Sequence, residues 1–126
     1  GNDSKHAGKL AFTRVKSTAE LDSYLHKAHQ PVLLDFYADW CVSCKEMERF
    51  TFSDSKVQAA LANYTLLQVD VTDNNDDDQA LLKRFKLFGP PGIIFFNAQG
   101  QELPSPRVVG FQNSETFLQT LAMVGK

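Results

Sequence analysis

At 126 residues, 43% hydrophobic and 22% charged, with ten Phe, the chain suits one globular domain whose core needs no disulfide or metal staples. A formal charge of -2 and a pI near 5.9 argue against nucleic acid or an anionic membrane surface as a partner. The longest apolar run, residues 31–36, has Asp35 inside it and is far too short to cross a bilayer.

Residues 1–9 read as a flexible lead-in. They are polar and lead into no apolar stretch of the kind a secretory signal carries. The absence of an initiator Met points to a mature or excised fragment. Residues 10–15 alternate roughly between apolar and polar and predict a short strand. Ser17-Thr18-Ala19-Glu20 is a capping-box pattern. It opens a helix whose apolar stripe is Leu21, Tyr24, Leu25 and Ala28, and Pro31 closes the segment. Residues 32–38 are nearly continuous apolar, as in a central strand buried on both faces. A helix then starts at Cys41 and runs to about Phe50, and a shorter one, with N-caps offered by Ser53, Asp54 and Ser55, ends near Leu61.

Residues 65–70 predict a second good strand, and a polar loop at 74–78 leads into a helix from about Asp77 to Phe85. Ile93-Ile94-Phe95-Phe96 predicts a third apolar strand, closed by the turn at 97–100. Pro104-Ser105-Pro106 marks a loop or edge, residues 107–110 an edge strand, and Asn113 or Ser114 caps a last helix with Phe117, Leu118 and Leu121 inward. The order βαβααβαββα describes one α/β domain with a mixed central sheet. No internal repeat and no second domain are visible.

Two cysteines are too few for a disulfide framework. A bond across a two-residue gap constrains the unfolded chain little, so the pair reads as reactive rather than structural. Cys41 and Cys44 lie where a buried strand passes into a helix. There the free N–H groups and the helix dipole favour a thiolate. Positions i and i+3 are helix neighbours, and a small adjustment brings them within bonding range. Cys41, at the tip, is expected to be the exposed nucleophile and Cys44 the buried resolving thiol. The rival reading is half of a zinc site, which needs four ligands. His26 and His29 are the available partners, but they precede the cysteines in an amphipathic helix, the reverse of the usual finger order.

Asp35 interrupts the buried strand six residues before Cys41. Desolvation should raise its pKa and fit it to take a proton from Cys44; the plainer reading is an acid facing a watery gap. Glu48 falls on the same helical stripe as both cysteines, either to raise the thiol pKa values by like charge or to sit in solvent near Lys45 or Arg49. Trp40 is a core residue or a substrate platform. Gly89-Pro90-Pro91-Gly92 is a tight turn whose proline bonds, on the sequence alone, are expected trans. The three His and the Asp76–Asp78 run carry no visible chemistry.

The stretch Asp35-Phe36-Tyr37-Ala38-Asp39-Trp40-Cys41-x-x-Cys44-Lys45 resembles the active-site segment of thioredoxins. Thr51-Phe52-Ser53-Asp54, Leu81-Leu82-Lys83, Ile94-Phe95-Phe96-Asn97 and Gly100-Gln101-Glu102 narrow the resemblance. They match the C-terminal periplasmic thioredoxin-like domains of the bacterial transmembrane thiol:disulfide interchange proteins, the DsbD family. The likeness covers roughly residues 10–122. It implies an α/β thioredoxin-like fold over 10–126, with a central mixed β-sheet flanked by helices on both faces. It implies a thiol–disulfide oxidoreductase that works as a reductant through a redox-active Cys41–Cys44 disulfide, with no other cofactor and no metal.

The implied donor is the transmembrane domain of the same full-length protein, and the implied acceptor its N-terminal periplasmic domain. Disulfide isomerases and cytochrome c maturation proteins follow downstream. The setting is then the periplasmic side of a bacterial inner-membrane protein, and the isolated domain is monomeric. Asp35 and Glu48 would be the two acids that tune the cysteines. Pro91 would be a cis-proline facing the site, reversing the expectation from sequence alone. Trp40, Pro90 and Pro91 would meet the substrate. Pro90 departs from the thioredoxin pattern, because it has no backbone N–H to offer a partner strand. Two other readings stay open: a free-standing thioredoxin-like or cytochrome-maturation reductase, and a binding module without turnover.

Overall fold

The structure is a computed structural model and describes residues 8–126; of the expected lead-in, residues 1–7 lie outside the described residues. Five strands, β1 (Thr13–Arg14), β2 (Val32–Tyr37), β3 (Thr65–Asp70), β4 (Gly92–Phe96) and β5 (Glu102–Val108), form one sheet in the order β1-β3-β2-β4-β5. β1, β3 and β2 run parallel, and β4 and β5 add antiparallel. All six β2 residues are buried, as its apolar run requires of a strand covered on both faces.

Alternation along the strands builds two cores. Val32, Leu34 and Phe36 join Leu67, Val69, Ile94 and Phe96 on one face. There they meet Leu21 and Leu25 of α1 (Thr18–His26) and Leu81 and Leu82 of α4 (Asp76–Arg84). Leu33, Ile93 and Phe95 face the other way, towards Met47, Phe52, Val57 of α3 (Ser55–Ala60) and Phe117 of α5 (Ser114–Met123). The expected mixed sheet with helices on both faces is therefore the observed fold. By parity Asp35 lies on the second face, where an apolar side chain is the rule.

Several segments differ from the sequence expectation for identifiable reasons. The strand expected over 10–15 pairs only at Thr13 and Arg14, because Leu10 and Phe12 pack on the second core instead; the Phe12 ring meets Phe52 at 5.5 Å. Glu20 accepts the N–H of Lys16 at 2.6 Å, not that of the N-cap Ser17, whose hydroxyl takes Glu20 N–H at 3.1 Å. The cysteine helix is α only over α2 (Val42–Glu46) and continues as a π turn, Met47–Thr51, closed by Phe52 N–H on Met47 O at 2.7 Å. The wider turn keeps Met47 and Thr51 buried and leaves Phe50 out.

Asp78 is buried. It closes a capping box with Asn75, so one member of the acidic run serves the start of α4. Of the two readings of Pro104, Ser105 and Pro106, a loop or an edge, the structure shows the edge: they lie inside β5, whose register shift tolerates them. Val109 and Gly110, expected in that strand, lie beyond it.

The β4–β5 turn is fixed by a glycine. Gly100 has φ +80, and a Cβ there would sit 2.2 Å from the backbone oxygen of Leu25. Gly125 has a similar φ of +79 with nothing within 4 Å. We expect Gly100→Ala to cost about 2 kcal/mol or more in urea unfolding, and Gly125→Ala about 1 kcal/mol. Equal losses would show that the contact with α1 does not constrain the turn.

Candidate functional site

β2 ends at Tyr37, the chain turns through 38–40, and α2 begins with Cys41 as its N-cap. Cys41 and Cys44 are joined in a disulfide with Cα atoms 5.2 Å apart, within the ordinary range. Cys44 N–H donates to Cys41 Sγ at 3.1 Å, so a backbone donor already faces the sulfur that would carry the negative charge. Cys44 Sγ lies 3.8 Å from the carbonyl oxygen of Phe36, over the end of β2. The expected contrast in exposure is not found in this disulfide form. Cys41 is 5% exposed and Cys44 4%, with the two sulfurs bonded to each other. What separates them is position, Cys41 at the cap and Cys44 one turn inside.

Asp35 is buried, and its carboxylate accepts one side-chain hydrogen bond, from Gln68 Nε2 at 2.9 Å. Burial pushes its pKa from 3.8 up to about 7. The Gln68 bond and the Arg14 charge pull it down, while Glu48 pushes it further up. An acid near neutrality can both take and return a proton. Glu48 itself is exposed, in the π turn, and its charge acts on Asp35, Tyr37 and Lys45.

Trp40 stands 60% exposed, held by its indole N–H on the carbonyl oxygen of Thr72 at 3.2 Å, and so is outside the core. The Pro90–Pro91 bond is cis, against the expectation from sequence alone and in line with the resemblance. Gly92, next in the chain, pairs with Phe36, which places the turn beside the cysteine end of β2. Pro90 and Pro91 border a shallow groove with Phe88 and Val109.

Sequence reasoning overlooked Gln68, Arg14, Thr72 and Phe88. A polar residue between Leu67 and Val69 in a strand that must be buried was a usable signal for Gln68. Nothing in the spacing marks Phe88, whose full exposure comes from the turn that lifts it, or Val42, 72% exposed beside Cys41. Among the described residues no group of three or more His, Cys, Asp or Glu is arranged to hold a metal ion. No described helix is long and apolar enough to cross a membrane.

Residues 19–125 match the model of the thioredoxin-like domain family. The chain is 61% identical over 115 residues to the thiol:disulfide interchange protein DsbD of Ralstonia nicotianae. It is 51% identical over 117 residues to that of Pectobacterium atrosepticum. These matches cover 89% and 93% of this chain but 19% and 20% of those proteins, so the chain spans about a fifth of their length. The oxidised C-terminal domain of Neisseria meningitidis DsbD superposes with a TM-score of 0.71 at 38% identity, over 86% of this chain and 95% of that one. Its reduced form gives 0.71 at 37%, over 85% and 96%. A thioredoxin of Thermus thermophilus shares the fold at 23% identity and TM-score 0.71, over 91% of this chain and 88% of that one. The chain belongs to the thioredoxin-like family and, within it, to the DsbD C-terminal domains.

The buried acid has a measurable consequence. Its folded pKa lies above its unfolded value, so the unfolded state releases the proton first as pH rises. Stability present below about pH 4 is therefore lost progressively up to about pH 7. We expect Asp35→Asn to stabilise the oxidised chain at pH 8 by a few kcal/mol, on the order set by the shift. The difference from wild type should shrink as pH falls toward 4. Urea titrations across that range test it, and a pH-independent difference would contradict the shifted acid.

Proposed function

We propose, from membership of that family and from the Cys41–Cys44 pair set at a strand–helix junction beside a buried acid, that the chain is the reducing relay domain of a larger electron-transfer protein. The observation that carries this is the disulfide itself at the N-cap of α2, with Asp35 next to the strand residue that Cys44 touches. In the reduced form Cys41 thiolate attacks a partner disulfide. One sulfur of the partner leaves as a thiolate, and a mixed disulfide forms through Cys41. Cys44 then gives its proton to the Asp35 carboxylate and attacks Cys41 Sγ. The partner leaves with both sulfurs reduced, and this chain is left with the disulfide. Two electrons pass to the partner in each cycle with two protons: one is the Cys44 proton, handed on by Asp35, and the other comes from solvent, which took it from Cys41 when its thiolate formed.

Regeneration reverses these steps with a dithiol donor. By analogy with the full-length relatives, that donor is a transmembrane domain of the same protein and the acceptor is its N-terminal periplasmic domain. Disulfide isomerases and cytochrome c maturation proteins lie downstream. The domain then works in the periplasm, tethered to the inner membrane. Trp40, Val42, Phe88 and Val109 give an exposed apolar rim on which such partners would sit.

A redox titration in thiol/disulfide buffers, read by Trp40 fluorescence and thiol alkylation, tests the direction of flow. We expect a reversible two-electron couple between about -200 and -270 mV, and a Cys44→Ser variant that accumulates the mixed disulfide through Cys41. A couple near about -120 mV would make the chain an oxidant and sink the relay reading.

Pro90 removes the backbone N–H that would otherwise pair with a docked strand. We expect Pro90→Ala to change the rate of exchange with a partner disulfide several-fold without moving the potential. Identical kinetics would show that partners do not use this edge.

A further inference from the structure

The sheet register sets three polar side chains in one row across three strands. Arg14 of β1 pairs with Gln68 of β3, and Gln68 pairs with Asp35 of β2. All three therefore point to the same face, the one covered by α2 and the π turn. Arg14 Nε donates to Gln68 Oε1 at 2.5 Å, and Gln68 Nε2 donates to Asp35 Oδ2 at 2.9 Å. Gln68 is buried at 5% exposure, so its amide has little water to turn toward.

An amide has two ends, and only one suits a carboxylate. Turned over, Gln68 would set its carbonyl oxygen against Asp35. A guanidinium carries donors only, so it accepts nothing but the oxygen end of the amide. Arg14 thereby decides which end Asp35 meets.

The same guanidinium has a second arm. Nη1 donates to Asp70 Oδ2 at 3.0 Å, two residues along β3 and so on the same face as Gln68. Asp70 Oδ1 accepts the Thr72 N–H at 2.9 Å and also its hydroxyl hydrogen. The Thr72 hydroxyl oxygen accepts the Asp39 N–H at 2.9 Å, and the Thr72 carbonyl takes the Trp40 indole. One fork thus holds the amide that meets the buried acid and, through Asp70 and Thr72, the loop leading into Cys41. A lysine ammonium lacks the rigid spread to hold both.

We propose that Arg14 is a positioning residue for thiol–disulfide exchange: it locks the Gln68 amide toward Asp35 and ties the loop before Cys41 to the same sheet edge. The inference rests on the reading that Asp35 receives the Cys44 proton. The groups that act on Asp35 are Gln68 from β3, Arg14 from β1 and Glu48 from the π turn, while Cys44 of α2 lies against the carbonyl of the next strand residue, Phe36. Its β4 neighbour in register is the apolar Ile93. Arg14, Gln68, Lys45 and Glu48 also line a cleft of about 370 Å³, through which water reaches the outer end of the row.

The test is the titration of the Asp35 carboxyl by carbon NMR in the oxidised 126-residue chain, with Arg14→Met, Arg14→Lys and Gln68→Leu. Arg14 is exposed on a two-residue edge strand, so its variants leave the core intact. Gln68→Leu checks the inner link separately. We expect Arg14→Met and Gln68→Leu each to raise the Asp35 midpoint by about half a pH unit or more, and Arg14→Lys to recover only part of the shift. An unchanged midpoint in both Arg14→Met and Gln68→Leu overturns the proposal, and full recovery by lysine overturns the orienting role.

Alkylation of the reduced chain against pH, in wild-type and Asp35→Asn backgrounds, separates this from the reading beneath it. If Arg14→Met moves the thiol profile only when Asp35 is present, the row acts through the acid as proposed. If the Asp35 midpoint moves but Asp35→Asn leaves the thiols unaffected, Arg14 does hold Asp35, and proton transfer to Asp35 is what fails.

Discussion

A carboxylate buried in the middle strand of a sheet, met by one neutral amide, is an unfavourable arrangement that a fold keeps only with compensation. Here the compensation is partial. Gln68 supplies one hydrogen bond to Asp35, and Arg14, the cation whose charge is felt there, bonds the far side of that amide. Full ion pairing would have driven the pKa of Asp35 down and ended its use near neutral pH. With an amide as intermediary, burial outweighs the Gln68 bond and the Arg14 charge, and the acid is held at about 7.

The rest of the site follows from where β2 ends. A strand buried on both faces must leave the sheet at its C-terminal end, and the next helix has to start there. The Cys41 cap and the inward Cys44 are consequences of that junction, and Cys44 Sγ comes to rest 3.8 Å from Phe36 O, beside the strand residue that follows Asp35. β4 contributes from the other side: Gly92 pairs with Phe36, so Pro90 and Pro91 lie at the same sheet end. The acid and cysteines of one stretch of chain and a proline turn about fifty residues on converge because β2 and β4 are paired neighbours at this end of the sheet.

Polar groups around this junction are organised in depth. Tyr37, on the same face as Asp35, receives a hydrogen bond from Lys45 at 2.5 Å and donates to Asp39 at 3.0 Å, with the Arg14 guanidinium 5.5 Å from its ring centre. Asp70 is lowered although burial pushes it up, because the Thr72 hydroxyl and N–H and the Arg14 charge outweigh that burial. Asp70 thus stays ionised as an anchor, while Asp35 is kept poised. The difference lies in burial, far greater at Asp35, and in the bonds from Thr72 and Arg14 that Asp70 receives directly.

Much of this molecule was legible in its sequence, because local rules were strong there. The apolar run at 32–38 had to be a central strand, the Cys-x-x-Cys spacing at a strand–helix junction had to bring two sulfurs together, and an acid inside that strand had to be desolvated. The sequence also carried the family resemblance, through motifs that spacing alone would not have explained. Elsewhere the sequence was silent or misleading. Leu10 and Phe12 alternate like a strand but are claimed by the second core, and the prolines at 104 and 106 left a loop and an edge equally open until the pairing with β4 decided for the edge. Arg14 reads as an ordinary surface charge 54 residues away from Gln68. Its place beside Gln68 and Asp35 depends on the register of three strands. Period and composition specify which residues face inward; only the assembled sheet decides which of them meet, because cross-strand neighbours are set by tertiary pairing and leave no mark in the local order of the chain.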